Sequence, residues 1–262
     1  MPTQELLIVD GTVLVLRPYF VGIDAPWAPA RNALRKLDGT TSHLAVVIDR
    51  TMDTFRRDID PQYKAHRPPA PPDLIAHFER FEDEVRAMGI ALFGSLRYEA
   101  DDMAATLARH AAQQCLNVRI QSNDKDLFQL ISDQPRVVTE DDKRKIIYDE
   151  VTVFKKLGVR PDQVIDYLSL LGDAADGIPG VAGVGAKTAT QLLQHMGSLD
   201  AIYADLSAVA QLPIRGARTL PDKLCAGRDT ALHARRLIQL VDTVDVGAYP
   251  LESCRRSVAG AG

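Results

Sequence analysis

The chain has little cysteine, no long apolar run and no excess of basic charge. Its 262 residues include 3 cysteines, which are too few and too widely spaced for a disulfide framework or a zinc site. A reducing compartment, the cytoplasm, is therefore expected. No apolar stretch approaches the ~20 residues that span a bilayer, and the first residues lack the features of a signal peptide, so no membrane association is predicted. The net charge of −4 argues mildly, on composition alone, against a nucleic-acid-binding protein.

The distribution of charge is more informative than its sum. Basic side chains gather between residues 50 and 67, whereas acidic side chains concentrate at a few points elsewhere in the sequence. A basic surface beside an acidic centre that holds metal ions would still bind a polyanion. Nucleic acid therefore stays compatible with the sequence.

Predicted strands alternate with helices in the first 150 residues. Continuous apolar runs at 6–9 and 43–48 are typical of parallel strands that are covered on both faces, and further strands are predicted at 90–93 and 117–122. This alternation predicts an α/β fold in which helices flank a mainly parallel central sheet.

Three regions follow from this pattern. Residues 1–150 form the α/β core, and residues 151–250 are predicted to form a helical C-terminal region. Residues 251–262 are small and polar and are expected to be a disordered tail.

Three carboxylates, those of Glu99, Asp101 and Asp102, stand directly before an apolar run at 103–112. One acidic residue at a helix start is explained as a cap. Three of them raise one another's pKa and destabilise the fold unless a cation neutralises them. The segment is therefore interpreted as part of a site for a hard metal ion.

Further aspartates stand where predicted strands end or in one glycine-rich turn. Each alone has an ordinary explanation as a turn or cap residue, but together they are expected to converge on one edge of the sheet. Oxygen ligands without histidine or cysteine suit Mg²⁺ or Mn²⁺ and disfavour zinc. Their number suits two ions roughly 3.5–4 Å apart, as in phosphodiester cleavage. These aspartates are Asp10, Asp49, Asp124, Asp126, Asp173 and Asp176.

A glycine-rich stretch leads into a helix that is predicted to begin near Lys187. Its spacing does not fit a phosphate-binding Walker loop, and an ordinary helix cap followed by a flexible loop is the simpler alternative. Glycines at 180, 183 and 185 instead favour a helix-hairpin-helix, over residues 172–195, in which the backbone approaches a phosphate and the helix N-terminus faces it. Such a motif contacts a nucleic-acid backbone without reading sequence.

These motifs resemble those of the 5′-nuclease family, which includes the flap endonucleases and the 5′–3′ exonuclease domain of bacterial DNA polymerase I. Because no polymerase region follows in this sequence, we expect a free-standing member similar to the small bacterial exonuclease paralogues. The matching segments are LIVDG at 7–11 with Arg17, VID at 47–49, FR at 55–56 with YKAHR at 63–67, YEADD at 98–102, SNDKDL at 122–127 and GDAADGIPGVAGVGAKTA at 172–189.

The resemblance implies a PIN-like nuclease core and a role for each motif. The first metal ion would be held by Asp10, Asp49, Glu99 and Asp101, and the second by Asp124, Asp126, Asp173 and Asp176. Asp102 would support the metal site indirectly, and Asp101 would lie between the two ions. Catalytic roles fall to Asp101 and to Lys64 and Arg67, which lie in an arch around residues 50–75. The implied DNA contacts are Arg17, Arg56, Tyr63, Lys64, Arg67, Gly180, Gly183, Gly185, Lys187 and Thr188, and the backbone at Val181 and Val184 would hold K⁺.

The expected function is that of a monomeric, structure-specific 5′–3′ exonuclease or flap endonuclease that acts in DNA replication or repair. It would hydrolyse DNA at 5′ flaps, ends or branched junctions with two Mg²⁺ ions, for which Mn²⁺ substitutes. Two alternatives stay open: a non-catalytic protein that binds DNA structures, and an RNA-cleaving PIN-like nuclease. The intact carboxylate set argues against the first alternative, and the hairpin favours duplex DNA over the second.

Overall fold

The computed structural model describes residues 4–248 and 250–256. The strands are β1 Glu5–Asp10, β2 His43–Val47, β3 Ala91–Phe93, β4 Asn117–Gln121, β5 Ser132–Asp133, β6 Arg136–Asp141, β7 Ile146–Tyr148, β8 Gly172–Asp173 and β9 Ile178–Pro179. The α-helices are α1 Gly11–Phe20, α2 Trp27–Leu37, α3 Phe55–Ile59, α4 Pro72–Ala87, α5 Ala100–Gln113, α6 Glu150–Leu157, α7 Val164–Leu171, α8 Ala186–Met196, α9 Leu199–Ala204, α10 Leu206–Val209, α11 Leu220–Ala226, α12 Arg228–Ile238 and α13 Pro250–Ser253. Short 3₁₀ turns lie at Asp126–Leu130, Pro161–Gln163 and Ala217–Thr219.

Within the described ranges, seven strands form one sheet in the order β3-β2-β1-β4-β6-β5, with β7 also paired to β6. The ladders from β3 to β6 along this order are parallel, and only β5 and β7 run antiparallel to β6. The predicted α/β fold with a mainly parallel sheet is therefore confirmed. Because parallel strands share one direction, the carboxyl ends of β1, β2 and β4 lie along the same edge.

Alternate residues of β1 and β2 point to opposite faces of the sheet, and each face has its own apolar core. Leu7 and Val9 pack with side chains of α1, α2 and α4 on one face. Leu6 and Ile8 pack with α5 on the other. Helix α1 was not predicted, because its two valines and Pro18 have the composition of an extended segment or turn. It begins where Asp10 accepts a hydrogen bond from the amide of Val13 at 3.0 Å.

The helices from α6 to α12 enclose a third apolar core, which confirms the predicted helical C-terminal region. The predicted disordered tail is wrong over residues 251–256. Leu251 and Cys254 are buried against the α5 side of the sheet, and the Arg256 guanidinium lies 2.7 Å from the carboxylate of Asp38. Backbone hydrogen bonds also hold this segment, from the amide of Leu44 to the carbonyl oxygen of Cys254 at 2.8 Å and from the amide of Arg256 to that of Ser42 at 2.9 Å. The rest of the predicted tail, residues 257–262, lies outside the described residues.

Among the described residues, no helix has both the length and the apolar character needed to cross a membrane.

Candidate active site

A cleft of about 170 Å³ opens at the carboxyl ends of β1, β2 and β4, where α5 also begins. The arch segment and the end of α12 form its other walls. The structure brings most of the predicted metal-binding carboxylates to this one place. Those that line it are Asp10, Asp49, Glu99, Asp101, Asp124, Asp126 and Asp176.

Asp10 and Asp49 follow neighbouring strands and are held by hydrogen bonds from the chain around them. Ser122 Oγ donates to Oδ2 of Asp10 at 2.9 Å, and the amide of Ala100 donates to Oδ1 of Asp49 at 2.8 Å. Burial, followed by the charge of Asp49, raises the pKa of Asp10 to about 7. Burial also raises the pKa of Asp49. Both carboxyls are therefore fixed in place but resist ionisation together.

Burial and the charges of four other carboxylates raise the pKa of Asp101. Its pKa is raised well above the usual range by burial and then by the charges of Asp124, Asp10, Asp49 and Asp126. Carboxyls that repel one another this strongly either keep a proton or bind a cation. The electrostatics thus place Asp101 at the centre of the cluster.

Asp126, Asp173 and Asp176 form a second group in the same cluster. One oxygen of each lies within 4.8 Å of the others. Oδ1 of Asp126 is buried without a hydrogen-bond partner in the described residues, and burial, followed by the charge of Asp124, raises the pKa of Asp126 to about 7. Lys125 Nζ lies 2.5 Å from Oδ2 of Asp173 and balances part of the charge. A buried carboxylate oxygen that accepts no hydrogen bond, with only Lys125 Nζ 3.6 Å away, fits a hard cation.

Glu99 faces cations and a phenol instead. Lys64 Nζ lies 2.8 Å from its Oε2, and Tyr63 OH lies 3.1 Å from the same oxygen. Burial opposes the ionisation of Glu99, but the charges of Lys64 and Arg56 outweigh it and lower the pKa of Glu99. Glu99 is consequently ionised and already compensated by groups of the chain.

The arch is bonded to the turn that carries Asp176. The amide of Lys64 donates to the carbonyl oxygen of Asp176 at 2.9 Å, and Nη2 of Arg67 lies 2.6 Å from Oδ1 of Asp176. Lys64 has φ +52°, a left-handed conformation that a non-glycine residue adopts only where its surroundings fix it. Both predicted basic residues of the arch therefore reach the cleft.

The hairpin, residues 180–187, consists of a tight turn and the first two residues of α8. At Gly180 a Cβ would lie 2.2 Å from the carbonyl oxygen of Leu171, so no larger residue fits. Gly185 precedes α8, and no side chain of the described residues caps this helix start. Lys187 is exposed in the first turn. Unpaired N–H groups and a nearby ammonium form a surface that suits a phosphate.

Two family models together cover almost the whole chain. The 5′-3′ exonuclease, N-terminal resolvase-like domain matches residues 5–158, and the 5′-3′ exonuclease, C-terminal SAM fold matches residues 159–259. The chain belongs to the 5′-3′ exonuclease family. The resemblance drawn from the sequence motifs is thereby confirmed, as is the predicted enzyme class, a DNA-cleaving hydrolase.

Curated relatives include DNA polymerase I of Pseudomonas aeruginosa, which is 36% identical over 275 residues. The match covers 98% of this chain and 30% of that protein. DNA polymerase I of Treponema pallidum is 36% identical over 265 residues, covering 96% of this chain and 26% of the relative. The chain thus spans less than a third of the length of these polymerases.

Solved structures share the fold of this family member at lower identity. The bacteriophage T5 D15 protein, crystallised with metal ions, has a TM-score of 0.73 at 23% identity and covers 95% of this chain and 92% of its own. The catalytic core of Rad2 in complex with a DNA substrate has a TM-score of 0.64 at 16% identity, over 95% of this chain and 81% of that one.

One predicted role is wrong for this 5′-3′ exonuclease family member. Arg56 cannot contact DNA, because its side chain is 2% exposed and forks onto Asp102 at 2.7 and 2.9 Å. Asp102, which was expected to support the metal site indirectly, is fully buried. Both of its oxygens accept hydrogen bonds, from Arg56 and from the amides of Glu99 and Val241. The pair forms a structural unit behind the cleft.

Tyr63 also differs from its prediction as a DNA contact. Its side chain is 3% exposed, and its hydroxyl lies 3.1 Å from Glu99 and 3.2 Å from Asp176. Burial and the two carboxylate charges raise the pKa of this phenol. Tyr63 therefore bridges two carboxylates at the wall of the cleft.

The remaining predicted residues have mixed environments. Arg17 Nη2 donates to Oδ1 of Asn123 at 3.0 Å, beside the cleft. Thr188 is half-buried in the first turn of α8. The carbonyl of Val181, a predicted K⁺ ligand, accepts the amide of Val184 at 3.0 Å within the hairpin. The K⁺ site stays a prediction.

Two lysines near these sites escaped the sequence analysis. Lys125 contacts Asp173 across 48 residues of sequence. The side chain of Lys223, on α11, lies over the hairpin, with Nζ 3.3 Å from where a Cβ of Gly183 would stand. The local motif around 122–127 could have signalled the first, but no sequence pattern places the second.

Proposed function

We propose that this chain hydrolyses phosphodiester bonds of DNA at 5′ ends, flaps or branched junctions with two divalent metal ions, Mg²⁺ or Mn²⁺. The observation that carries the proposal is the carboxylate cluster at the sheet edge, in which Asp10, Asp101 and Asp126 all have raised pKa values. Like charges buried together in this number are stabilised by cations.

The donor set fits Mg²⁺ or Mn²⁺. It contains only carboxylates. One of them, Asp126, has a buried oxygen without a hydrogen-bond partner in the described residues. The first ion would be held by Asp10, Asp49, Glu99 and Asp101, and the second by Asp124, Asp126, Asp173 and Asp176. When bound, such ions supply a nucleophilic water at neutral pH and neutralise charge on the phosphate.

The chain's own residues would bind and orient the phosphate. Lys64 is paired with Glu99 and is 16% exposed, so its ammonium can turn toward an incoming phosphate without leaving the cleft. Arg67 is 42% exposed and held at Asp176, from where its planar guanidinium can bind two phosphate oxygens. The two cations would steady the scissile phosphate beside the carboxylates.

The hairpin would bind the duplex part of the DNA at a surface separate from the cleft. Gly183, Gly185 and Lys187 are exposed, and they would contact one phosphate backbone together with Lys223. Backbone contacts of this kind position a duplex without reading its sequence. A monomeric state, a cytoplasmic location and K⁺ in the hairpin stay predictions.

The deciding experiment is cleavage of a labelled 5′-flap DNA in Mg²⁺, in EDTA and by Asp101→Asn. We expect product only with the metal and a fall of ~10²-fold or more for Asp101→Asn. Asp142→Asn, in the exposed turn between β6 and β7, is the matched control and should cleave like the wild type. Binding without cleavage would indicate a DNA-structure-binding protein. Preferential cleavage of an RNA of the same shape would indicate an RNA nuclease.

A further inference from the structure

Helix α12 joins the hairpin to the cleft. At its start Gly227 packs on the hairpin, where a Cβ on Gly227 would lie 2.7 Å from Cγ1 of Val181. At its end the carbonyl oxygen of Leu237 accepts a hydrogen bond from Nε of Arg56 at 2.8 Å. A helix of 11 residues spans about 16 Å. One rigid element therefore connects the surface proposed for DNA with the wall of the cleft.

Arg56 continues this connection through Asp102. The guanidinium and the carboxylate meet fork to fork at 2.7 and 2.9 Å, with the two side chains 2% and 0% exposed. Such a pair fixes orientation as well as distance. Asp102 also accepts the amide of Glu99 at 3.0 Å. The first turn of α5, which carries Glu99 and Asp101, is thus bonded to the pair.

The pair has partners on both sides of the boundary between the two matched family domains. The amide of Val241 donates to Oδ1 of Asp102 at 2.9 Å. Farther back on α12, Nε2 of His233 lies 3.0 Å from Oδ2 of Asp60 in the arch segment. Helix α12 is therefore bonded to the arch segment through Leu237 and His233. The chain just after α12 is bonded to Asp102 through the amide of Val241.

Stability alone does not account for this arrangement. Buried ion pairs often contribute no more than apolar side chains of similar volume would. What a buried fork-to-fork pair specifies is the relative position of the segments that it joins.

We propose that α12 and the Arg56–Asp102 pair act as a positioning unit. Duplex DNA seated on the hairpin then fixes the first turn of α5, with Glu99 and Asp101, in its catalytic position. The inference rests on the proposed function. Arg56 acts through Asp102, so it is a positioning residue.

Arg56→Lys keeps the charge but replaces the planar fork by one ammonium, whose donors lack the fixed geometry of the guanidinium toward Asp102 and Leu237. We expect kcat on a flap substrate to fall by ~10- to 100-fold, because small misplacements of reacting groups are costly, while KM stays unchanged. If Arg56→Lys folds poorly, His233→Ala provides a second test. His233 is half-buried, and its replacement should lower kcat by a smaller factor with KM unchanged. Arg119→Lys is the matched control, since Arg119 pairs with Glu5 and Glu140 at the sheet.

Hydrogen exchange provides a readout that does not depend on turnover. A blunt DNA duplex in Ca²⁺ should protect the amides of both 180–187 and 97–104 in the wild type. In Arg56→Lys the protection at 180–187 should remain and that at 97–104 should be lost, whereas Arg119→Lys should keep both.

Protection at 97–104 that persists in Arg56→Lys would overturn the inference, as would equal losses in kcat and in duplex affinity. A wild type that is protected at the hairpin but not at 97–104 would also overturn the inference. A wild type without protection at 180–187 would contradict the proposed DNA-binding function, and the inference with it.

Discussion

Lys64 Nζ lies 2.8 Å from Oε2 of Glu99 and 3.6 Å from Oδ2 of Asp176. One ammonium of the arch thereby bridges two carboxylates that reach the cleft from different domains. Since both charges raise the pKa of Lys64 despite its burial, the lysine is fully charged at neutral pH.

Lys64→Ala should reduce turnover far more than duplex affinity. The variant removes the cation proposed to polarise the scissile phosphate, so the single-turnover rate should fall by ~10²-fold. The dissociation constant for the same duplex, measured in Ca²⁺, should stay close to that of the wild type. Lys143→Ala, on the exposed β6–β7 turn, is the control. Equal losses of rate and affinity would make Lys64 a binding residue only.

Metal-free protein should lose stability as the pH rises from about 4 to about 7. The folded pKa values of Asp10 and Asp126 are about 7, against 3.8 for an ordinary aspartate. Between these values the folded state binds more protons than the unfolded chain, so raising the pH lowers the free energy of unfolding. Glu99 has the opposite sign: its lowered pKa adds stability as the pH rises to about its ordinary value of 4.5, at the lower edge of this window.

Added Mg²⁺ should reverse this trend, because its carboxylate ligands must be deprotonated. The measurement is the melting temperature at a series of pH values from 5 to 8, in EDTA and in Mg²⁺. We expect the difference between the two curves to widen with pH. A melting temperature in EDTA that rises through the window would contradict the assigned cluster.

Lys187→Ala should weaken duplex binding and reduce its salt dependence. Removing one phosphate contact lowers the slope of log K against log salt by about 1. Lys223→Ala should do the same if its ammonium over Gly183 reaches the backbone. Lys155→Ala serves as the control, since Lys155 is an exposed lysine of α6 that belongs neither to the hairpin nor to α11. An unchanged slope would remove the tested lysine from the DNA interface.

The parts of the site that sequence predicts are those set by local pattern. An apolar run followed by Asp10 or Asp49 indicates a buried parallel strand and its carboxyl end, and the convergence of such ends on one edge follows from topology. Asp126 and Asp176 stand in the segments 122–127 and 172–189, on which the sequence resemblance rested. For these residues, position along the chain almost determines position in the fold.

The environment of Arg56 could not be predicted in the same way. An arginine in a basic stretch resembles a surface contact for DNA. Its burial depends on Asp102, 46 residues away, and on Leu237, 181 residues away. Likewise, the docking of residues 251–256 depends on an apolar surface beside α5 that no local pattern reveals. Tertiary partners decide these cases.

Asp126→Asn should stabilise the metal-free protein and weaken its response to Mg²⁺. Burial, followed by the charge of Asp124, raises the pKa of Asp126. Its Oδ1 is buried without a hydrogen-bond partner in the described residues. A neutral amide removes the repulsion, so the free energy of unfolding in EDTA at pH 8 should rise by ~1 kcal/mol, as is common where function strains a site. The Mg²⁺-dependent rise in melting temperature should shrink, together with cleavage.

Asp141→Asn is the matched control for the prediction that Asp126→Asn gains stability without metal but loses cleavage. Asp141 is 2% exposed at its side chain and pairs with Arg144 at 2.6 Å; burial opposes its ionisation, but Arg144 outweighs this and lowers its pKa. Its replacement should destabilise the protein equally with and without Mg²⁺ and leave cleavage intact. If Asp126→Asn instead destabilised the metal-free protein, as Asp141→Asn does, Asp126 would serve the fold and not a metal ion.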